Sequence, residues 1–365
     1  METSTTGLSL DFILHPGISI KEKLEENNMN QEELAERTGF SAKHVSEVIN
    51  GKKGISPKFA KALEYVFGVK FTFWLNLQAI YDKEIIEYQE RNNIDKREIE
   101  ITKRIEPILE YAILLNLINK YNNTTEEVII ARNLCKTNNL LNIEKLLITK
   151  VAYRTAKNIQ VDEYVLYAWQ RVCELIAEKE NIEDTYDSEK LKNYLQDIKQ
   201  LMFEEDPNMM IQKLKEIFKK CGIIFELVKN FQGAPIQGFI KNKNDRIILC
   251  MTIRQSYADI FWFTLFHEIG HILNDDIKEN KLDYYIENTK AEEIADNFAK
   301  DFLISSDKYE EYVQKKDFSI ESIKEFSQQN KIKEFVLIGR LQKDNLLPYN
   351  KYSNLKTRYN MIIYK

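Results

Sequence analysis

Residues 261–271, F-W-F-T-L-F-H-E-I-G-H, constrain this chain more than any other stretch. They contain H-E-x-x-H, a pattern that makes chemical sense only on a helix. Residues four apart share a helical face, so His267 and His271 can present two imidazole nitrogens to one metal ion. Glu268 lies beside that face, where it can hold and deprotonate a metal-bound water. A third ligand has to come from downstream. Residues 291–299, A-E-E-I-A-D-N-F-A, offer Glu292 as that ligand, and Asp296, one helical turn on, is able to hydrogen-bond a ligand histidine. Two His and one Glu is the ligand set of a zinc peptidase, with Zn2+ as the cofactor. No histidine follows His271, which excludes a zincin that takes its third ligand from a downstream histidine.

The remaining chain is long enough to ask what this chemistry serves: 365 residues predict two or three domains. Only 11 glycines and 6 prolines are present, so long helices are expected and an all-β fold is not. A net charge of -5 argues against a chain that coats nucleic acid, while leaving room for one small DNA-reading module. Cys135, Cys173, Cys221 and Cys250 are widely spaced and form no C-x-x-C, which points to a reducing cytoplasm. The first ten residues do not read as a signal peptide, and no apolar run is long enough to span a membrane.

Near the amino terminus the pattern is helical and tightly punctuated. Residues 18–26 read as a helix with Ile20 and Leu24 on one face. Asn30 caps the next helix, with Glu33 completing a capping box. Gly39 provides the turn, and Ser41 caps a third helix running to about Ile49. Ala35, Gly39, Val45 and Val48 fall where a helix-turn-helix needs a small residue, a turn glycine and two apolar contacts. Ser56-Pro57 opens a further helix with proline at its first position. On H-P-G, N-Q-E-E-L-A-E-R-T-G-F-S, V-S-E-V-I-N-G-K-K-G-I-S-P and F-W-L-N-L-Q-A-I-Y-D, residues 15–82 resemble the HigA-type antitoxins of the Cro/repressor (XRE) helix-turn-helix superfamily. The resemblance implies a double-stranded DNA operator as partner and a third helix lying in the major groove. Ser41, Lys43, His44 and Glu47 are then expected at base edges, and Gln31, Lys52 and Lys53 at phosphates. Charge in this module is nearly balanced, so a homodimer through the N-terminal domain, reading two half-sites, is expected.

Residues 83–220 are helical. Charged residues 96–104 mark a plausible connection, and apolar residues recur at helical spacing over 105–121, 143–157, 162–178, 188–201 and 209–221. Trp169 reads as a packing residue. After Gly222 three short segments rich in Ile, Phe and Leu (223–228, 237–240 and 246–251) read as a small antiparallel sheet. The active helix follows from about Asp259 to Leu273, then a polar loop over 274–288 and a second metal-bearing helix over 291–303. The fold class is therefore multi-domain and mainly α. It comprises an N-terminal helix-turn-helix bundle (1–85), a helical connecting region (86–215) and a C-terminal α+β zincin-like metallopeptidase domain (216–365).

From Gly222 onward the chain resembles the ImmA/IrrE metallopeptidases. The resemblance rests on I-L-C-M-T-I-R, D-I-F-W-F-T-L-F-H-E-I-G-H-I-L, E-E-I-A-D-N-F-A-K-D-F-L-I, and the tail segments I-G-R-L-Q and L-P-Y-N. It implies zinc-dependent cleavage of a regulatory protein, with Glu268 as the catalytic proton carrier. Tyr284, Tyr285, Arg340 and Tyr349 are the candidates for stabilising the oxyanion. Arg254 and Asp259 flank the start of the active helix. They either shape the cleft, or serve as a surface ion-pair partner (Arg254) and a helix cap (Asp259). Two functions follow. The chain is a DNA-binding regulator that cuts a protein substrate or toxin, or an antitoxin-like repressor whose zinc domain binds a partner toxin without cutting it.

Overall fold

A computed structural model describes residues 10–148, 161–180, 182, 184–243, 245–252, 256–274 and 290–359. The chain separates into two compact units, residues 1–96 with 122–127 and residues 97–121 with 128–365. Among the described residues no helix is long and apolar enough to cross a membrane. All four cysteines are buried free thiols.

Among the described residues the first unit is built on α1 (Gly17–Glu26), α2 (Gln31–Thr38), α3 (Ala42–Ile49), α4 (Pro57–Phe67) and α5 (Phe71–Asn92). The caps expected from the sequence are in place. Asn30 accepts from the Glu33 backbone N–H at 2.8 Å, and Ser41 accepts from that of His44 at 3.2 Å. Ser56 caps α4 ahead of Pro57. Gly39 turns α2 into α3 with φ at 73°, a left-handed conformation that costs glycine nothing. Ile20, Leu34, Val45, Val48, Phe59, Leu63 and Trp74 are wholly buried in one core. Helix α5 continues to Asn92, past the boundary expected at residue 85.

The second unit takes α6 (Lys96–Leu114) from Arg97 on, α7 (Thr124–Cys135) from Val128 on, and then α8 (Ile143–Ile148), α9 (Glu163–Lys179), α10 (Ser188–Gln200) and α11 (Pro207–Lys220). Strands β1 (Ile223–Leu227), β2 (Gly238–Lys243) and β3 (Arg246–Met251) follow. Helices α12 (Ala258–Leu273), α13 (Lys290–Leu303), α14 (Ser306–Gln314), α15 (Ile320–Gln329) and α16 (Glu334–Lys343) complete it. The charged stretch at 96–104 is not a connection but the opening turns of α6. Glu98, 1% exposed, is held inside by Arg132 at 3.0 Å and by the Leu140 backbone N–H at 2.8 Å. The helix expected over 143–157 is described only as far as Ile148.

The sheet is mixed rather than antiparallel. Its order is β1-β3-β2, with β1 parallel to β3 and β2 antiparallel to β3. After β1 the chain loops past the place β3 will take, and the tight β2–β3 turn then brings β3 back between the other two. Trp169 and Asp162 anchor that loop, donating to the carbonyls of Lys229 at 3.0 Å and Gly233 at 2.8 Å. The Trp169 ring packs edge-on to Phe239, so it is a packing residue as read.

Alternate residues of each strand enter different cores, the period-2 rule of a pleated sheet. Ile223, Phe225, Leu227, Ile240, Ile247 and Leu249 join α10, α11, α12 and α16. Ile224, Val228, Phe239, Ile248 and Cys250 join α6, α7 and α9. Helices α6, α7 and α9, read as part of a separate connecting region, thus cover one face of the sheet. The boundary expected at residue 216 does not appear in the packing.

Candidate metal centre

Helix α12 buries Phe261, Trp262, Leu265, Phe266, Ile269 and Ile272 in the core, which fixes its rotation. Phe263, Thr264 and His267 consequently line a cavity of about 1240 Å³. Helix α13 packs against α12 and brings Glu292 to the same place. His267 Nε2 lies 3.1 Å from His271 Nε2, and the two Glu292 carboxylate oxygens each lie 3.3 Å from one of them, Oε2 from His267 and Oε1 from His271. His267, His271 and Glu292 form a group whose ligand atoms all lie within 4.8 Å of one another. On the far side of the His267 ring, Nδ1 meets Asp296 Oδ1 at 2.9 Å, which turns Nε2 towards the cluster. Two imidazole nitrogens and one carboxylate, with a cavity on the open side, suit a zinc ion that keeps one position for another ligand.

The charges of the cluster are tightly coupled. Burial pushes the His267 pKa down. The hydrogen bonds to Asp296 and Glu292 and the charge of Glu268 outweigh burial and raise it to about 9. His271 is raised in the same way, burial opposing Glu292 and Glu268. Glu292 falls to about 2: burial opposes the shift, and hydrogen bonds from the two histidines drive it. Asp296 is lowered first by its bond to His267. The site therefore concentrates negative charge that favours a bound cation.

Glu268 is 6% exposed and sits under the start of β2. A β-carbon on Gly238 would lie 2.0 Å from its Oε1. That glycine admits the carboxylate beside an edge strand of the sheet.

Of the oxyanion candidates, Tyr284 and Tyr285 lie outside the described residues, as does Arg254. Arg340 lines the cavity and also has a structural role. Its guanidinium donates to the carbonyls of Lys300 at 3.2 Å and Ile304 at 2.7 Å, closing the C-terminus of α13, and stacks on Tyr309. Tyr349 is 69% exposed and lines the cavity. Asp259 does not cap α12, whose N-cap is Tyr257; its carboxylate instead pairs with Lys356 at 2.6 Å. Sequence reading missed Lys356, Gln237 and Lys343, which also line the cavity. Nothing in their local pattern distinguishes them from ordinary surface residues.

In the first unit, Lys43 projects with 85% of its side chain exposed, 3.9 Å from Glu47. Ser41 is spent on capping α3, with its Oγ turned to the His44 N–H. Lys52 and Lys53 are exposed on a turn held by their backbone N–H groups, which donate to the Glu47 carbonyl at 2.8 and 3.1 Å. Gln31 opens α2 and is half-buried. His44 is corrected from a base-facing residue to a packing one. Its ring lies 4.7 Å from Phe40 and 5.0 Å from Phe59, and its Nε2 is buried.

Residues 20–74 match the helix-turn-helix family. Virulence-associated protein A' of Dichelobacter nodosus is 44% identical over 69 residues, 19% of this chain and 60% of that relative. The HTH-type transcriptional regulator YbaQ of Escherichia coli is 37% identical over 97 residues, 26% of this chain and 80% of that relative. Among solved structures, the Pseudomonas aeruginosa antitoxin HigA with the higBA promoter is 30% identical, with a TM-score of 0.21; the match covers 22% of this chain and 95% of that one. Through residues 20–74, the chain belongs to the helix-turn-helix family.

Proposed function

We propose that the chain is a DNA-binding transcriptional regulator whose second unit is a zinc-dependent endopeptidase. The observation that carries the peptidase reading is the convergence of His267 Nε2, His271 Nε2 and Glu292 beside a cavity, with Asp296 behind His267. A zinc ion held by those three residues would supply a Lewis acid and lower the pKa of a coordinated water to about 7.

The chain's own residues do the rest. Asp296 keeps the His267 ring turned so that Nε2 faces the cluster. Glu268 takes the proton of the attacking water and returns it to the departing amine nitrogen. The side of β2 away from β3 offers backbone groups along which an extended peptide can align. The resemblance of residues 222–350 to ImmA/IrrE metallopeptidases suggests a regulator or toxin protein as the substrate.

For DNA, Lys43 and Glu47 of α3 face the major groove, while Lys52, Lys53 and Gln31 lie at phosphates. The family of residues 20–74, and relatives named as transcriptional regulators, support an operator partner. Exposed Phe73 and Ile80 on α5 suit a homodimer contact through the first unit.

Comparing new protein N-termini in cells carrying the wild-type chain or Glu268→Gln tests the peptidase half. Termini that require Glu268 identify the substrate. Their absence, with operator binding and zinc content intact, leaves a regulator whose second unit binds without cutting.

A further inference from the structure

Beyond the metal cluster, the same cavity runs two helical turns along α12, from His267 back to Asp259. Three features meet at that end. The Asp259 side chain is only 10% exposed, and while Oδ2 pairs with Lys356 at 2.6 Å, Oδ1 is buried with no hydrogen-bond partner among the described residues. Lys356 is itself 9% exposed, and its ammonium reaches one further acceptor, Gln342 Oε1 at 3.1 Å. Gly339 leaves the room: a β-carbon there would lie 2.6 Å from Asp259 Oδ2.

Lys356 belongs to a short strap laid over the start of α12. The Ala258 N–H donates to the Thr357 carbonyl at 3.0 Å, the Tyr359 N–H to the Ser256 carbonyl at 2.7 Å, and Trp262 Nε1 to the Tyr359 hydroxyl at 2.7 Å. Gln342, wholly buried, braces the turn before the strap through the Lys351 carbonyl at 3.1 Å. The I-G-R-L-Q segment therefore builds this end of the cavity: Gly339 makes space, and Gln342 holds both the turn and the lysine.

A buried carboxylate satisfied on one oxygen by a tethered ammonium is half-used. A guanidinium would engage both oxygens with parallel N–H donors, which an ammonium cannot. We infer that Asp259 is a recognition carboxylate for a basic side chain of the substrate, arginine above all, and that Lys356 is its resident occupant, displaced when a substrate enters. The inference rests on the peptidase reading for the word substrate. The site itself is a cation-binding subsite whether or not the chain cuts.

The test uses the full chain with 1-butylguanidinium as probe, read by the shift of the unfolding temperature and by calorimetric titration. Lys356→Ala uncovers the carboxylate and is expected to bind the probe about tenfold more tightly than wild type. In Asp259→Asn/Lys356→Ala, which carries no unpaired charge, binding is expected to fall by at least about tenfold relative to Lys356→Ala. Equal binding by a folded Lys356→Ala and the double variant would overturn the inference and leave a purely structural ion pair. Should Lys356→Ala not fold alone, recovery of its fold by the probe supports the subsite. Failure to recover while the double variant folds counts against it. Neither readout needs turnover. A chain without hydrolysis that still binds the probe retires the peptidase reading alone, and one that hydrolyses peptides without binding the probe retires the subsite alone.

Discussion

Gly238 and Glu268 fit as a socket and its plug: the carboxylate of Glu268 occupies the space a β-carbon on residue 238 would need, 2.0 Å from Oε1. The conflicting atom is the buried carboxylate itself, so Gly238→Ala has to push Glu268 aside while leaving His267, His271 and Glu292 untouched. Zinc content should stay at the wild-type level while protein hydrolysis falls about 100-fold, the range of a misplaced proton carrier. Zinc analysis after dialysis, paired with a proteolysis assay, checks both halves.

Asp296→Asn keeps the shape of the side chain and removes the charge that faces His267 Nδ1 at 2.9 Å. Zinc affinity is expected to drop about 10- to 100-fold, as for other partners that orient a ligand histidine. Competition against a chelator of known affinity measures it. Unchanged affinity would mean that the His267 ring is held by packing alone.

The metal-free chain should show a distinctive pH profile. His267 rises from 6.5 to about 9 on folding, so its stabilising share is complete below pH 6.5 and lost as the pH climbs through about 9. Glu292 drops from 4.5 to about 2, so its share is complete above pH 4.5 and lost as the pH falls through about 2. The apo unfolding temperature is expected to decline from pH 6.5 to 9. Zinc requires the imidazole unprotonated, so the stabilisation it confers should grow over the same interval. Parallel melting curves with chelator and with zinc decide the matter.

Two residues of α3 and its exit turn should behave differently on DNA. Lys52→Ala is expected to weaken operator and random DNA alike and to lower the salt dependence by about one counterion. His44→Ala removes the ring lying against Phe40 and Phe59, so it should lower the unfolding temperature of the first unit without changing which sequence is preferred. Binding isotherms at several salt concentrations, together with melting curves, separate the two.

Arg132→Met leaves Glu98, 1% exposed, without its bidentate partner. Breaking a buried pair from one side costs about 3–5 kcal/mol, so the second unit should unfold at markedly lower denaturant. Glu98→Gln/Arg132→Met is expected to recover much of that loss.

What the sequence made legible was short-range. The spacing of His267 and His271, the helical turn from Glu292 to Asp296, and the caps at Asn30, Ser41 and Ser56 are all encoded within a few residues, where geometry follows from helix period alone. The parts that escaped are long-range. Asp259 looked like a cap because helix starts favour aspartate, yet its partner Lys356 comes from the far end of the chain. Glu98 read as part of a charged connection because nothing near it announces Arg132. His44 sits where a recognition helix faces DNA, but Phe59 on the next helix claims its ring. The mixed sheet escaped because strand order depends on how the β1–β2 loop travels, not on the alternation within any strand.

The two-sided burial of the sheet has a practical meaning for anyone dissecting the chain. A fragment beginning at residue 216 would keep His267, His271 and Glu292 and still be half a sandwich, with Ile224, Val228, Phe239 and Ile248 stripped of α6, α7 and α9 and open to solvent. Such a piece is expected to clump when expressed alone, and its silence in an assay would say nothing about chemistry. The smallest segment that carries its own lining starts near residue 97. Any transfer of this unit into another chain has to move the preceding helices with it.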